Sequence, residues 1–506
     1  MHEHDDTLRR PLDGLREWAH RAPNRTAVTD GRVSITYGEL LETVQATAGA
    51  ARAALRSAPT GAYLPVLVDR STRSAAAVLA CVLGRVRFLP VDANASPELL
   101  RSLVARAGAA DFYLRGAARD TSFAGLVALD VTRSTTRMER AGEPDADEPG
   151  LLLFSSGTTG EPKGIVLSWQ TVEDRWRSRD AEYDAEGFGP GDDRRQPLVI
   201  PMDSSWGIAK LLDVASGFAE QVVDVSRVRP VDVLSRMAQF APTAVAIPAQ
   251  LARVFAQMPG SLTHPLPTVR RLHIAAEGFR YEHLDGLREI FSAQTTVVHS
   301  LASSEGGREI AGTFTLGRAP ASGALHLGRP LFPHLLRVVP APVHGSDVGE
   351  VHVGGAIANE YLDDPELTAE RFYADADGRR WWRSHDLVTY DEETEKYLHG
   401  GRMDDAVKVR GKLASPSDIT TILLGIDGVA GAITVPVETE GASRLVAHVE
   451  IEDGSAVQLD GLRRALAARL PAHAVPSAIM RHAQLPVNVR GKVDRAALME
   501  GPFVPW

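Results

Sequence analysis

Residues 151–164 read LLLFSSGTTGEPKG. Leu151–Phe154 form an apolar run that passes directly into two serines, two threonines, three glycines and a lysine. A short apolar run bounded by turn residues predicts a buried strand. In the loop that follows, Gly157 and Gly160 let the backbone approach a ligand closely, and the hydroxyls of Ser155, Ser156, Thr158 and Thr159 can donate to oxyanions beside the cation of Lys163. By its chemistry this is a phosphate cradle at the end of a strand. It is not the P-loop, which needs Ser or Thr after its lysine, because Gly164 stands there. An ordinary Ser/Thr/Gly turn is the plain alternative.

On either side of this segment, short apolar runs alternate with helical patterns: AYLPVLV, VRFLPVD, PLVIPMD, TAVAIPA, RRLHIAA and TTVVHSLA. That alternation predicts an α/β architecture with largely buried strands, in which ligands collect at the carboxyl ends of the strands. Beyond Gly401 the pattern changes. AVKVRGKLA reads as a hairpin, SPSDITTILLGI as a helix, AITVPVE and RLVAHVEIE as strands, and LDGLRRALAARL as an amphipathic helix before the turn LPAHAVPS. The expected fold is a large α/β N-terminal domain with several sheets, residues 1–401, followed by a small α+β C-terminal domain, residues 402–506.

Composition narrows the function. At 506 residues the chain exceeds one ordinary core, and 44% hydrophobic residues are enough to fill two or more. The formal net charge of −10 argues against nucleic acid or anionic membrane as a partner, since both require cationic surface. Cys81 is the single cysteine, so an internal disulfide and a cysteine-based metal cluster are excluded, and its apolar surroundings AAAVLACVLG point to packing. MHEHDDTLRRPLDGL lacks the apolar stretch of a secretion signal, and no apolar run reaches the length needed to cross a bilayer. A cytoplasmic protein acting on small molecules or proteins is expected. Lysine is rare, with six in all (Lys163, Lys210, Lys396, Lys408, Lys412 and Lys492), so each position is informative.

SSGTTGEPKG resembles the signature loop of the adenylate-forming superfamily, which comprises acyl-CoA synthetases, the adenylation domains of nonribosomal peptide synthesis and firefly-type luciferases. Further segments follow the family's order: RAPNRTAVTDGRVSITYGELLETV from Arg21, GEVHVGGAIANEYLDDPELTAERF from Gly349, RSHDL from Arg383, GRMDDAVKVRG from Gly401 and VRGKVDRAAL from Val489. The resemblance spans nearly the whole chain. It implies ATP and Mg²⁺ as cofactors, and an acid joined to AMP and then passed to a thiol.

Carried over residue by residue, the resemblance makes Glu305 of HSLASSEGG the Mg²⁺ ligand and Ser304 a phosphate contact, a role suited to a lone carboxylate beside a triphosphate. Ala276, Glu277 and Ser300 fall on the nucleotide side with the loop residues Ser155 to Lys163. Asp386 matches the aspartate that accepts from both ribose hydroxyls, Arg402 an arginine reaching the ribose or phosphate, and Asp404 the hinge about which the small domain turns. Lys492 matches the catalytic lysine. An ammonium between two approaching anions stabilises the transition state more than the ground state, and losing such a group costs ~10²–10³ in rate. On the acid side, Asp203 lines up with the aspartate that pairs with an α-amino group. A capping or turn aspartate before SSWG is the alternative for it. Trp206 stands as an aromatic wall or gate, and His273, Ala275, Ser300, Arg308 and Glu309 lie near the pocket, giving it a polar character suited to a small polar or charged acid.

Several positions depart from the family pattern. Leu301–Ala302–Ser303 replaces the segment that usually carries an adenine-stacking tyrosine, Ala275–Ala276–Glu277 replaces Gly-Gly-Glu, and Ser384–His385–Asp386 replaces Thr-Gly-Asp. GKLASPSDI lacks a glutamate common among amino-acid-activating members. The resulting expectation is a ligase that adenylates an amino acid or amino-acid-like acid and charges the phosphopantetheine of a separate carrier protein. The alternative is an acyl-CoA ligase for an aryl or short-chain acid.

Overall fold

The computed structural model describes residues 9–110, 112–115, 126–129, 144–155, 162–189, 192–223, 229–258, 260, 265–275, 279, 281–320, 325–341, 347–403, 407–409, 412–414, 416–424, 426, 428–439, 442–451, 455–470, 472–486, 493 and 497–500. Loop residues Ser156, Gly157, Thr158, Thr159 and Gly160, together with Ala276, Glu277, Asp404 and Lys492, lie outside them.

Three sheets build the large part. The first is seven-stranded and places Pro149–Ser155 beside Phe88–Asp92, with Leu64–Val68, Phe112–Arg115 and Val127–Leu129 continuing it in parallel. On the other side Lys163–Ser168 returns antiparallel to Pro149–Ser155, with Ser155 opposite Lys163 and Glu360–Tyr361 at the edge. Leu64 to Val68 are all buried, as the unbroken apolar runs require of strands covered on both faces.

The second sheet is nine-stranded. Its parallel centre contains Ala219–Val222, Arg195–Leu198, Ala244–Pro248, Arg271–Ala275 and Thr296–Ser303, and Thr296–Ser303 turns back through an antiparallel hairpin into Gly307–Thr315. The run PLVIPMD supplies a strand only as far as Leu198. Val199 to Met202 then form a connection, in which Pro201 has no N–H to give a ladder. The third sheet is antiparallel and carries Val348–Gly354, Arg380–Asp391 and Lys396–Arg402.

The helix Trp169–Ala185 connects the first two sheets in sequence, and the Ser168 side chain caps it by accepting from the Thr171 N–H. Trp169, Trp176 and Tyr183 recur along its inner face and are buried, but so are Arg179 and Asp180. This is a helix that turns charge inward.

The large-part sheet ends at Arg402, which stands opposite Asp386, so the expected division at residues 401 and 402 falls inside a strand. From Val407 onward the chain has its own apolar core, with Ile419, Leu423, Leu445, Leu462 and Leu466 among its buried residues. Around this core lie the hairpin Val407–Val409 and Lys412–Ala414, the helices Pro416–Leu424 and Leu459–Ala467, and a three-stranded sheet of Val429–Thr439, Ala442–Ile451 and Ala478–His482. No helix among the described residues is long and apolar enough to cross a membrane.

Candidate active site

Glu305 sits in the tight turn between Thr296–Ser303 and Gly307–Thr315. Its Oε1 accepts a hydrogen bond from the Tyr361 hydroxyl at 3.0 Å, and that same hydroxyl accepts from Trp382 Nε1 at 3.2 Å. Burial, followed by the Glu305 charge, raises the Tyr361 pKa, so the phenol keeps its proton and donates it. Tyr361 pairs with Ile165 in the strand that begins at Lys163, and Tyr361 and Lys163 line one cavity of about 130 Å³ with Arg106, Pro162, Gly164, Leu362 and Asp364. Trp382 belongs to the strand Arg380–Asp391, which goes on to carry Asp386. One buried tyrosine thereby links the strand of the phosphate loop, the Glu305 turn and the Asp386 strand.

Asp386 is buried, and its Oδ1 accepts from Arg402 Nη1 at 3.1 Å, with His399 Nε2 3.6 Å away. The Ser384 hydroxyl accepts from the Asp386 N–H at 2.9 Å. His385, between them, has φ 59°, in the left-handed region where glycine is preferred. Its N–H donates to Glu350 Oε1 at 3.1 Å, at the irregularity where the strand's pairing with Val348–Gly354 shifts register. The Gly-like backbone of the family's motif is therefore present here without the glycine.

Glu309, expected near the acid pocket, lies in the hairpin that carries Glu305. Leu301 pairs with Ile310 and Ala302 with Arg308, leaving Glu309 as the extra residue of a bulge, and bulges re-aim side chains. The Ser303 hydroxyl donates to Glu309 Oε1 at 2.7 Å, while the buried Oε2 has no hydrogen-bond partner among the described residues. Burial first, then the charge of Asp386, pushes its pKa up to about 8. Ser304 is part-buried in the same turn as Glu305.

The acid-side residues gather elsewhere. Asp203 is part-buried just before the helix Ser205–Leu211, but the cap of that helix is Ser204, whose Oγ accepts from the Gly207 N–H at 3.0 Å and donates to the Pro201 carbonyl at 2.7 Å. Asp203 therefore does not cap this helix and stands in the turn before it. A Cβ on Gly207 would stand 1.9 Å from the Pro201 oxygen, so only glycine fits that turn. Trp206 meets His273 edge-on at 5.5 Å between ring centroids. His273 Nε2 is 2.7 Å from Ser300 Oγ, and its buried Nδ1 has no partner among the described residues. Burial, with Arg271 and Lys210 nearby, holds the ring well below the usual histidine range and therefore neutral. Ala275 is buried in register with Ser300.

Arg308 forms an ion pair with Glu182 of the helix Trp169–Ala185, and Glu182 also faces Arg271, 3.5 Å away. Behind these residues is a buried network that sequence reading did not anticipate. Lys210 Nζ donates to Asp213 Oδ2 at 3.0 Å and to the Tyr183 hydroxyl at 2.6 Å. Gln196 Nε2 donates to the same carboxylate oxygen at 3.0 Å, and Arg179 pairs with the other. Burial lowers Lys210 to about 8 against the pull of Asp213, and burial beside Asp213 raises Glu220 well above the carboxylate range. A signal existed in the spacing: Arg175, Arg179, Glu182 and Glu186 recur at helical intervals on one face. Such a row ordinarily reads as solvated surface.

The fold and this arrangement define the adenylate-forming class. Residues 15–362 match the family described as AMP-binding enzyme, and the chain belongs to that family of adenylate-forming ligases. It is 29% identical over 518 residues to phenyloxazoline synthase MbtB of Mycobacterium sp. (strain MCS), with 98% of this chain and 42% of the relative covered. With tyrocidine synthase 3 of Brevibacillus parabrevis it shares 27% identity over 501 residues, covering 95% of this chain and 8% of the relative. The chain thus spans less than half the length of these curated relatives. In fold it is similar to Klebsiella oxytoca NpsA in complex with 3-hydroxyanthranilyl-AMSN, with a TM-score of 0.78 at 20% identity over 97% of this chain and 99% of that one.

Proposed function

We propose that this protein adenylates a small carboxylic acid, an amino acid or an amino-acid-like acid, with ATP, and transfers the acyl group to the phosphopantetheine thiol of a separate carrier protein. The observation that carries the reading is the Tyr361 hydroxyl, which binds Glu305 and receives Trp382 while Tyr361 lines the same cavity as Lys163. This gathers a phosphate-side cation, a carboxylate and the strand bearing Asp386. Asp386, already oriented by Arg402, is an acceptor-only group of the kind two ribose hydroxyls require.

The donor set fits Mg²⁺. No group of three or more His, Cys, Asp or Glu residues able to hold a metal occurs among the described residues. A single part-exposed carboxylate such as Glu305 matches an ion that keeps its waters and takes its other ligands from phosphate oxygens. Bound there, the ion would neutralise phosphate charge. Lys492 is assigned to the attacking carboxylate and the α-phosphate, and Asp404 to the hinge between the two half-reactions.

An amine-bearing acid, with a carrier-protein thiol as acceptor, is favoured by Asp203, which lines up with the aspartate that pairs with an α-amino group and is part-buried ahead of the helix Ser205–Leu211. The edge-on wall of Trp206 and His273 favours an aryl acid as the second reading, with CoA as acceptor. Acid-dependent ATP–pyrophosphate exchange across amino, β-amino, aryl and short fatty acids separates the two. The leading reading expects exchange with amine-bearing acids alone, lost in Asp203→Ala. Exchange with amine-free acids that survives Asp203→Ala overturns it.

A further inference from the structure

Arg175 is part-buried on the helix Trp169–Ala185 and meets the Glu305 turn through backbone carbonyls. Its Nη1 donates to the Ser304 carbonyl at 3.0 Å, its Nη2 to the Glu305 carbonyl at 2.7 Å and its Nε to the Ala356 carbonyl at 2.9 Å. The Ser205 hydroxyl is 3.4 Å from Nη1. One turn earlier on the helix, Thr171 donates to the Ile357 carbonyl at 3.0 Å, and the Glu305 carbonyl also accepts from the Ala358 N–H at 2.8 Å. The turn bearing Glu305 and the segment leading to Tyr361 are therefore fastened to one helix by a single guanidinium.

A planar fork with five donors holds carbonyls of two segments at once, in a fixed geometry that an ammonium does not reproduce. The local sequence makes room for it. Gly307 has φ 80°, and a Cβ there would lie 3.0 Å from Arg175 Nε, so the glycine serves both the turn and the guanidinium. Burial depresses the Arg175 pKa to about 10, against the opposing charges of Glu305 and Glu309. A part-buried cation with these partners would be costly without its hydrogen bonds, of which two go to the Glu305 turn and one to Ala356.

We propose that Arg175 is a positioning residue for nucleotide binding, its guanidinium fixing the Ser304–Gly306 turn so that the Glu305 carboxylate faces the metal-bound phosphates of ATP. The proposal rests on the assignment of Glu305 above. Outer partners that orient metal-contacting groups are commonly worth ~10–100-fold in affinity. AMP, which lacks the phosphates that the ion would bridge, is expected to be insensitive to the turn.

The experiment is calorimetric titration of the full chain with Mg·ATP and, separately, with AMP, for wild type, Arg175→Met, Arg175→Lys and Glu305→Gln, each first checked for a cooperative thermal transition. Arg175→Met is expected to weaken Mg·ATP by ~10-fold or more and AMP by less than about twofold, with Arg175→Lys between, since an ammonium offers donors but no fork. Gly307→Ala, which crowds the guanidinium, is expected to show the same selectivity and stands in if Arg175→Met does not fold. Equal losses for Mg·ATP and AMP, or no loss for either, overturn the proposal. If Glu305→Gln binds Mg·ATP normally, it is the assignment of Glu305 that fails; if Glu305→Gln is impaired and Arg175→Met is not, the assignment stands and Arg175 falls.

Discussion

The proposed nucleotide side and the proposed acid side of this molecule are built by different means. On the nucleotide side, Glu305, Tyr361, Trp382, Asp386 and Arg402 sit in turns and strands that are hydrogen-bonded one to the next. On the acid side, the Lys210–Asp213 pair is held by Tyr183, Gln196 and Arg179 in an interior with almost no exposure, and Arg308, Glu182 and Arg271 extend the charges outward. The first arrangement leaves the Glu305 carboxylate part-exposed. The second spends its charges on one another, and the groups left over are single atoms, His273 Nδ1 and Arg179 Nη2, with no partner among the described residues. A recognition surface made this way is rigid, because moving any member strands a buried charge.

Four substitutions test the contrast. Asp213→Ala should have the largest effect, since it leaves Lys210 and Arg179 buried without their shared carboxylate; a loss of about 3–5 kcal/mol is expected in denaturant unfolding. A loss below about 1 kcal/mol would show that the network is not the scaffold of the acid side. Lys492→Ala should instead leave stability unchanged and reduce acid-dependent exchange by ~10²–10³, the converse pattern. Exchange kept at wild-type rate removes Lys492 from the reaction.

Glu309 supplies the pH test. In the fold it holds its proton to about 8, whereas its ordinary value is 4.5, so the native state binds more protons than the unfolded chain between these limits. Stability from this group is complete below the ordinary carboxylate range and falls as pH rises through about 8. Glu309→Gln should therefore raise the melting temperature more at pH 8 than at about pH 5, and a pH-independent difference contradicts a proton on Glu309. The smallest effect is expected at His385. Its left-handed backbone costs about 1 kcal/mol, which His385→Gly relieves but partly returns as chain entropy, so melting should change little and upward. A marked loss of AMP affinity in that variant would give the imidazole a role that the backbone alone does not explain.

How much was legible in the sequence follows the same division. Ser155 and Lys163 lie in one string whose composition implies phosphate chemistry at a strand end, whereas Glu305 and Asp386 were singled out by the family resemblance, and Asp386 stands inside the strand Arg380–Asp391. The alternation of apolar runs with helical patterns likewise foreshadowed an α/β part with several sheets and largely buried strands. The acid side was not. Arg179, Lys210, Asp213, Glu220 and Arg271 come from separate elements, and nothing in their local sequence distinguishes an inward charge from a solvated one. Arg175 escaped for the same reason, since its partners are backbone carbonyls whose position depends on the tertiary fold. His385 is the converse case: an odd residue in a motif became intelligible once its φ was known.

The central claim is that an acid carboxylate attacks the α-phosphate of ATP. The most direct measurement incubates the protein with ATP, Mg²⁺ and a substrate acid whose carboxylate carries heavy oxygen, then examines the nucleotide product by mass spectrometry. The account predicts AMP bearing one labelled oxygen once the thiol or water has taken the acyl group, with pyrophosphate as the other product. Formation of ADP, or of AMP without label, would contradict it.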